Sequence, residues 1–344
     1  MGLTMEIIRH AEDLPAALKG AVAALGNFDG FHRGHQVVVG ETGRLAKSGK
    51  KPFMVLMTEP HPRSFFNPEG EAFRLTPFRE RLNLLEHFGV DAAVVLPFNK
   101  ALAGHTPEDF AAKILTKDLG VSAVVVGYDY RFGKDRAGDA ESLKALGKKH
   151  GFDVHVIPQV PVGVEGAAGV PYSSTLVRAA LKEGGTRRAA ALLGHWWTVN
   201  GLVIEGEKRG REIGFPTANL ELHDSIVPAH GVYAIRAHIE GEADKLFDGV
   251  ANLGTRPTFG SDKVFLEVYL FDFARDLYAK HLRVHLVGGI RGEKKFSGVK
   301  DLKAQIEKDC ETARNLLGDP ENAHDRLKTP TLESYLKTHP KPAF

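Results

Sequence analysis

The spacing of apolar runs changes character near residue 185, and this change constrains the fold more than any other feature. Before it, short apolar runs alternate with helical patterns. Strands are expected at 21–25, 52–57, 92–97, 123–126 and 154–157, with a helix over 35–48 after the first. Thr106, Pro107 and Glu108 form a helix start, a capping residue followed by proline and an acid, and that helix continues through 111–119. Strands separated by helices pair in parallel, with helices on both faces. In such sheets ligands bind outside the carboxyl ends of the strands. After the change, strands follow one another at 198–204, 232–238, 247–251, 264–270 and 282–286. No long helix intervenes until 299–317. That pattern predicts an antiparallel sheet or small barrel with one terminal helix. The expected class is therefore α/β plus mainly β: a parallel-sheet domain over 1–185 and a small β-barrel domain over 186–318. The polar stretch 319–344 carries Pro320, Pro330, Pro340 and Pro342, and reads as a tail that docks loosely or stays disordered.

Composition narrows the function classes. Hydrophobic residues make up 43% of the 344, enough for two cores. The 45 Lys and Arg against 43 Asp and Glu leave a net charge of +2, without the basic bias of a nucleic-acid binder. Small phosphorylated ligands account better for the positive charges. A single cysteine, Cys310, excludes a disulfide framework and a cysteine-rich zinc site, and points to the cytoplasm. Glu6, Arg9, Glu12 and Asp13 break any apolar leader, and runs such as 121–127 are too short to span a bilayer. Neither a membrane nor nucleic acid is an expected partner, and the chain leaves oligomeric state open.

The most informative stretch of the first half is Gly26-Asn27-Phe28-Asp29-Gly30-Phe31-His32-Arg33-Gly34-His35, between a strand and a helix. Its glycines let the backbone approach a phosphate chain, and the helix start attracts anions. His32 and His35 could donate hydrogen bonds to a phosphate as charge builds in a transition state. The bland alternative, two ordinary loop histidines, is weakened by the spacing and the glycines. Three further segments are ambiguous singly. Pro60-His61-Pro62 alone is a rigid turn. Gly127-Tyr128-Asp129-Tyr130-Arg131-Phe132-Gly133 alone is a strand end, with Asp129 and Arg131 as a surface pair. Ser173-Ser174-Thr175 is most simply an N-cap, although its hydroxyls and Arg178 one turn later also suit a triphosphate.

In the second half, Gly201 to Asn219 is a strand followed by a glycine-spaced basic loop, with Gly206, Gly210 and Gly214, ending in Pro216-Thr217-Ala218-Asn219. No P-loop is present. Thr217 and Asn219 place neutral oxygens on one face of an extended segment, which suits Mg²⁺ held with nucleotide phosphates. A solvated hairpin loop is the alternative. Glu267 lies inside the β-branched and aromatic run 266–270, either facing solvent or retained for a purpose. Arg291 and Glu293 could be a surface ion pair.

Together these segments resemble the bacterial bifunctional riboflavin kinase/FAD synthetase family. GNFDGFHRGHQ, the PHP element, VGYDYRFG and SSTLVR occur in the family's order and spacing. GREIGFPTANL, GVANLGTRPTF, DLY and the segment from Ile290 to Phe296 resemble its kinase half. The resemblance covers roughly 21–317. It implies a Rossmann-like nucleotidyltransferase (FMN adenylyltransferase) domain followed by a riboflavin kinase domain, with ATP, riboflavin, FMN and FAD as substrates and products and Mg²⁺ as cofactor. In the first module it assigns His32 and His35 to the ATP phosphates, with Gly26, Phe28, Gly34 and Asp129 beside them. Ser174, Thr175 and Arg178 go to the β/γ region, and Pro60, His61 and Pro62 to the flavin. In the second it implies Glu267 as base for the ribityl hydroxyl. Gly206, Gly210, Gly214, Thr217 and Asn219 would hold ATP and metal, and Arg291 the flavin. Thr58, Tyr172 and Gly292 depart from the family pattern. Competing readings are a kinase-only protein and a non-catalytic flavin or nucleotide sensor. Intact His32, His35 and SSTLVR oppose the first, and Glu267 with the PTAN pair opposes the second. A dehydrogenase is disfavoured because the first loop lacks GxGxxG.

Overall fold

A computed structural model of the chain describes residues 5–163, 169–206, 209–222, 224–242, 245–258, 261–323, 327 and 329–344. Glu207 and Lys208 of the basic loop and Phe259 of the GVANLGTRPTF segment lie outside the described residues. Packing divides the chain into two units. The first comprises Met1–Gly70, Arg81–Tyr172 and Thr329–Phe344; the second comprises Glu71–Glu80 and Ser173–Lys328.

The first unit is built on six parallel strands: β1 (Glu6–Ile8), β2 (Val22–Leu25), β3 (Phe53–Glu59), β4 (Ala92–Pro97), β5 (Ala123–Gly127) and β6 (Asp153–Ile157). Their order is β1-β4-β3-β2-β5-β6, every pair parallel. Five of these strands were expected from the apolar runs; β1, three residues at the sheet edge, was not. The central strands are continuously buried Val, Ala, Leu and Met, because both sheet faces are covered. From β2 the chain moves to β3 on one side and later to β5 on the other, so the switch point of the sheet lies between β2 and β5. The helix started at Thr106 has a full capping box with Asp109. It then widens into a π-helical stretch, Phe110–Asp118, where an ordinary α-helix was expected.

The C-terminal segment is ordered within this unit. The helix Leu332–Thr338 begins at a Thr331/Ser334 capping box and lies along helix Arg33–Gly49. Tyr335 is 4% exposed, and its hydroxyl donates to Oε1 of the fully buried Glu41 at 2.7 Å. A Cβ at Gly40 would come within 2.4 Å of the Tyr335 ring, and one at Gly43 within 2.7 Å of Leu332. The two glycines therefore form the groove in which this helix sits. Burial and the Glu41 carboxylate hold the Tyr335 hydroxyl protonated, well above the usual phenol range. Tyr335→Ala empties this groove and is expected to cost about 3–5 kcal/mol of stability in the first unit. Urea unfolding of the full chain, followed unit by unit, measures the loss.

The second unit is a six-stranded antiparallel sheet, β7 (Thr198–Leu202), β8 (Ala218–Glu221), β9 (Gly231–Ile239), β10 (Leu246–Thr258), β11 (Ser261–Leu270) and β12 (His281–Gly292). Its order is β7-β12-β9-β10-β11-β8, and a bridge between Ile204 and Asn219 brings the two edges together into a nearly closed barrel. Closure removes exposed edge strands. β8, around Asn219, is a strand where a loop end was expected, and β10 runs on past the expected 247–251 through Asn252, because backbone pairing continues through polar residues. The helix Val299–Gly318 covers one face, burying Ala313 and Leu317 with Trp196, Val232, Val250 and Val287. Two elements from outside the barrel pack in this unit. The helix Ser174–Lys182, counted with the first domain in the sequence reading, packs here against helix Thr186–Leu193. The segment Glu71–Glu80 adds the carbonyl of Leu75 to Trp197 Nε1 at 2.8 Å and the buried Glu80 to Arg283 at 2.6 Å.

Candidate active sites

In the first unit the switch point carries the histidine turn. Gly26 to His32 leaves β2 and runs into the 17-residue helix Arg33–Gly49. His32 is its N-cap, its Nδ1 accepting from the His35 backbone N–H at 3.3 Å. The two imidazoles stack with centroids 3.6 Å apart and planes at 20°. The ring of Phe28 meets His35 edge-on at 5.3 Å. His32 and Asp29 are buried, and Gln36 Nε2 donates to the Phe31 carbonyl at 2.8 Å. Phe28 and Phe31 adopt left-handed backbone, with φ of 51° and 42°. Bulky residues there are strained, and such strain concentrates where a loop is held for a task. A Cβ at Gly34 would meet both the His32 ring and Tyr172 Cβ at 3.2 Å, so a larger residue at the helix start has to displace them.

Neighbouring strand ends complete this rim. At the end of β3, Pro60-His61-Pro62 opens a short helix, Pro62–Phe66, which His61 Nδ1 caps by accepting from Arg63 N–H at 3.1 Å. Phe65, Phe66 and Phe98 pack edge to face beside it, and Phe66 is 71% exposed. Beyond β5, Asp129 is exposed, and a Cβ at Gly127 would lie 3.1 Å from its Oδ1. The bland pairing of Asp129 with Arg131 does not form. Arg131 instead reaches Asp139 at 3.2 Å.

The other phosphate candidates belong to the second unit. Ser173 caps helix Ser174–Lys182 by accepting from Leu176 N–H at 3.3 Å. Ser174 and Thr175 form its first turn. Arg178 Nε donates to the Phe73 carbonyl at 2.7 Å, and its guanidinium lies over the Phe73 ring at 5.4 Å.

A cavity of about 820 Å³ lies between one face of the barrel sheet and helix Val299–Gly318, which contributes Leu302, Ile306 and Asp309 to its wall. Strand register places Asn219, Glu267 and Asn252 side by side across β8, β11 and β10. Directly paired residues share a face, and all three line the cavity with Thr217, two residues before Asn219. Glu267 therefore faces this cavity, half-buried on the helix-covered face of the sheet, while Leu266 and Val268 on the opposite face fill the barrel. A Cβ at Gly206 would collide with Asn219 Nδ2 at 2.3 Å, and one at Gly210 with the Phe215 carbonyl at 2.3 Å. These contacts leave no room for a Cβ, so Gly206 lies tightly against β8 and Gly210 against the Phe215 carbonyl. Gly214 takes a φ of 91°. Phe215 and Tyr269 meet edge to face at 5.3 Å on the cavity wall.

Arg291 also lines the cavity, but its ion partner is not Glu293. Its guanidinium forms a forked pair with Asp309 of helix Val299–Gly318, at 2.8 and 3.0 Å. Gln305 supports Asp309 at 2.9 Å, while Glu293 faces His230 at 3.7 Å. Asn252, Phe215, Tyr269 and Asp309 were not singled out in the sequence. Asn252 could have been found from its place in GVANLG opposite Glu267; nothing in the helical pattern marks Asp309.

The oxygens of Thr217, Asn219 and Glu267 suit a hard divalent cation sharing its ligands with phosphate. Among the described residues no cluster of three or more His, Cys, Asp or Glu could hold a metal by itself, and no helix is long and apolar enough to cross a membrane.

Comparison with known proteins agrees with this geometry. The FAD synthetase family matches residues 14–168 and the riboflavin kinase family residues 193–317. The bifunctional riboflavin kinase/FMN adenylyltransferase of Escherichia coli K12 is 40% identical over 315 residues, 91% of this chain and 98% of that protein. The Bacillus subtilis protein of the same name is 35% identical over 309 residues, covering 85% and 91%. A solved structure described as a macrolide-efflux protein from Streptococcus pneumoniae superposes with a TM-score of 0.79 at 31% identity, over 91% of this chain and 99% of that one. With such identity maintained from end to end of these relatives, the chain belongs to the bifunctional riboflavin kinase/FMN adenylyltransferase family.

Proposed function

We propose that the barrel phosphorylates riboflavin to FMN and that the parallel-sheet module adenylates FMN to FAD, each with ATP. The observation that carries this is the row Asn219–Glu267–Asn252 lining one cavity, while a histidine-bearing helix start stands at the switch point of a different sheet. The functional divide falls near residues 185/186, between the two family matches, and 319–344 lies beyond both. The protein works in the cytoplasm on small-molecule substrates; its single cysteine and its need for ATP support that placement.

In the kinase step Glu267 accepts the proton of the ribityl 5′-hydroxyl as that oxygen attacks the γ-phosphorus, and ADP leaves. Gly206, Gly210 and Gly214 make room for the phosphates, and Arg291, set by Asp309, faces the flavin. Thr217 and Asn219 would hold Mg²⁺, which supplies charge neutralisation on the phosphates. In the adenylyl step an FMN phosphate oxygen, already ionised, attacks the α-phosphorus and pyrophosphate leaves. No strong base is needed, so alignment and charge neutralisation dominate. His32 and His35 donate to the phosphates, with the helix N-terminus behind them. Gly26, Phe28 and Gly34 shape the turn, and Asp129 contacts ATP or its metal. Pro60, His61 and Pro62 serve the flavin.

The direct test is mass-resolved product analysis with riboflavin, ATP and Mg²⁺: FMN and FAD should both appear, with ADP and pyrophosphate. FMN without FAD would reduce the protein to a kinase. Thr217→Ala with Asn219→Ala should raise the Mg²⁺ concentration needed for half-maximal FMN formation by roughly tenfold, the loss of two oxygen ligands. A Mg²⁺ titration of each half-reaction reads this, and FAD formation from supplied FMN should keep its Mg²⁺ dependence.

A further inference from the structure

A buried ion pair in the first unit has no part in the roles above. Arg81 is only 1% exposed. Its Nη1 donates to the Asn27 carbonyl at 3.0 Å, inside the turn that ends at His32. Its Nη2 donates to Glu59 Oε2 at 2.8 Å, immediately before Pro60-His61-Pro62. The same two strand ends are joined again by Asn27, whose Oδ1 accepts from the Thr58 backbone N–H at 2.9 Å and from its hydroxyl at 3.0 Å. One guanidinium thus spans the phosphate turn and the flavin turn.

The Glu59 side chain keeps 22% exposure. Its carboxylate stands at the base of a rim assigned to two anionic substrates, ATP and FMN. An unneutralised carboxylate there would repel both. Well-packed apolar residues would support the fold as well as a buried ion pair does, so its presence points to a task other than stability. We propose that Arg81 is a positioning residue for adenylyl transfer. It holds the Gly26–His32 turn in register with the Glu59–Pro62 turn and cancels the Glu59 charge beneath the substrates. This rests on the adenylyl-transfer reading of the first unit.

The test uses the full chain as Arg81→Met, Arg81→Lys and Arg81→Met/Glu59→Gln. FMN-to-FAD conversion, with KM for ATP and for FMN at several salt concentrations, is measured beside riboflavin-to-FMN conversion on the same preparations. Arg81→Met should raise both KM values by roughly tenfold, an effect that shrinks as salt screens the exposed charge, and leave riboflavin phosphorylation unchanged. Adding Glu59→Gln should recover most of the KM loss. Arg81→Lys, which keeps the charge but not the two-pronged reach, should fall between. Wild-type KM and kcat in folded Arg81→Met overturn the proposal, as does a loss that Glu59→Gln does not relieve. If Arg81→Met does not fold, wild-type KM values in both Arg81→Lys and the double variant overturn it. Absence of FAD formation by the wild-type chain would instead refute the reading on which the proposal rests.

Discussion

Glu267→Gln is expected to slow FMN formation by roughly 10²–10⁴-fold, the usual worth of a positioned general base, while FAD formation from supplied FMN continues at the wild-type rate. Glutamine keeps the size of the side chain and can still orient the ribityl hydroxyl, but it cannot take the proton. The register holds position 267 between Asn219 and Asn252, so the substitution leaves the barrel ladder intact. The loss should therefore appear in kcat, with KM for riboflavin little changed. Steady-state phosphorylation of riboflavin, with FMN and FAD separated by chromatography, gives both numbers. A Glu267→Gln protein that phosphorylates riboflavin at full rate would remove Glu267 from the chemistry.

The mirror experiment is His32→Ala with His35→Ala. It should reduce FAD formation by at least about 10²–10³-fold, the cost of losing even one preorganised donor to developing phosphate charge, and leave FMN formation untouched. The stacked rings at 3.6 Å and the N-cap bond from His35 N–H to His32 make the two residues one structural unit. Their single losses should therefore sum to more than the loss in the double variant. Part of the effect comes from the lost cap, about 1 kcal/mol of helix stability. His32→Asn can still cap the helix and separates that contribution from catalysis. If either the Glu267 or the histidine variant stopped both reactions in a folded protein, the assignment of one reaction to each module would fail.

Much of the fold and of the site was legible in the chain. Continuous apolar runs between helical patterns announced the parallel sheet, because a strand buried on both faces has no polar positions to spare. β1 escaped notice because three residues at an edge carry too little pattern. β8 escapes the apolar pattern because a four-residue strand that starts inside the PTAN turn pairs through its backbone, which side-chain patterns do not report. The C-terminal helix was also invisible. Proline punctuation suggested a loose tail, yet Tyr335 and Leu332 find a groove made by Gly40 and Gly43, some 290 residues earlier in the chain. Arg291 and Glu293 are close in sequence, but the forked partner of Arg291 is Asp309 on a helix.

The sequence by itself determined the two kinds of architecture, the glycine-bounded phosphate turns and the residue types able to do the chemistry. All of these follow from local rules: side-chain period, backbone freedom and functional-group reactivity. Only the tertiary structure decided which way Glu267 faces, what Arg291 and Arg131 pair with, where the end of the chain docks and that Arg81 spans two turns. Those outcomes depend on strand register and long-range packing. A period-two strand offers either face equally until its neighbours are placed, and a charged side chain has no fixed partner until folding brings one within reach.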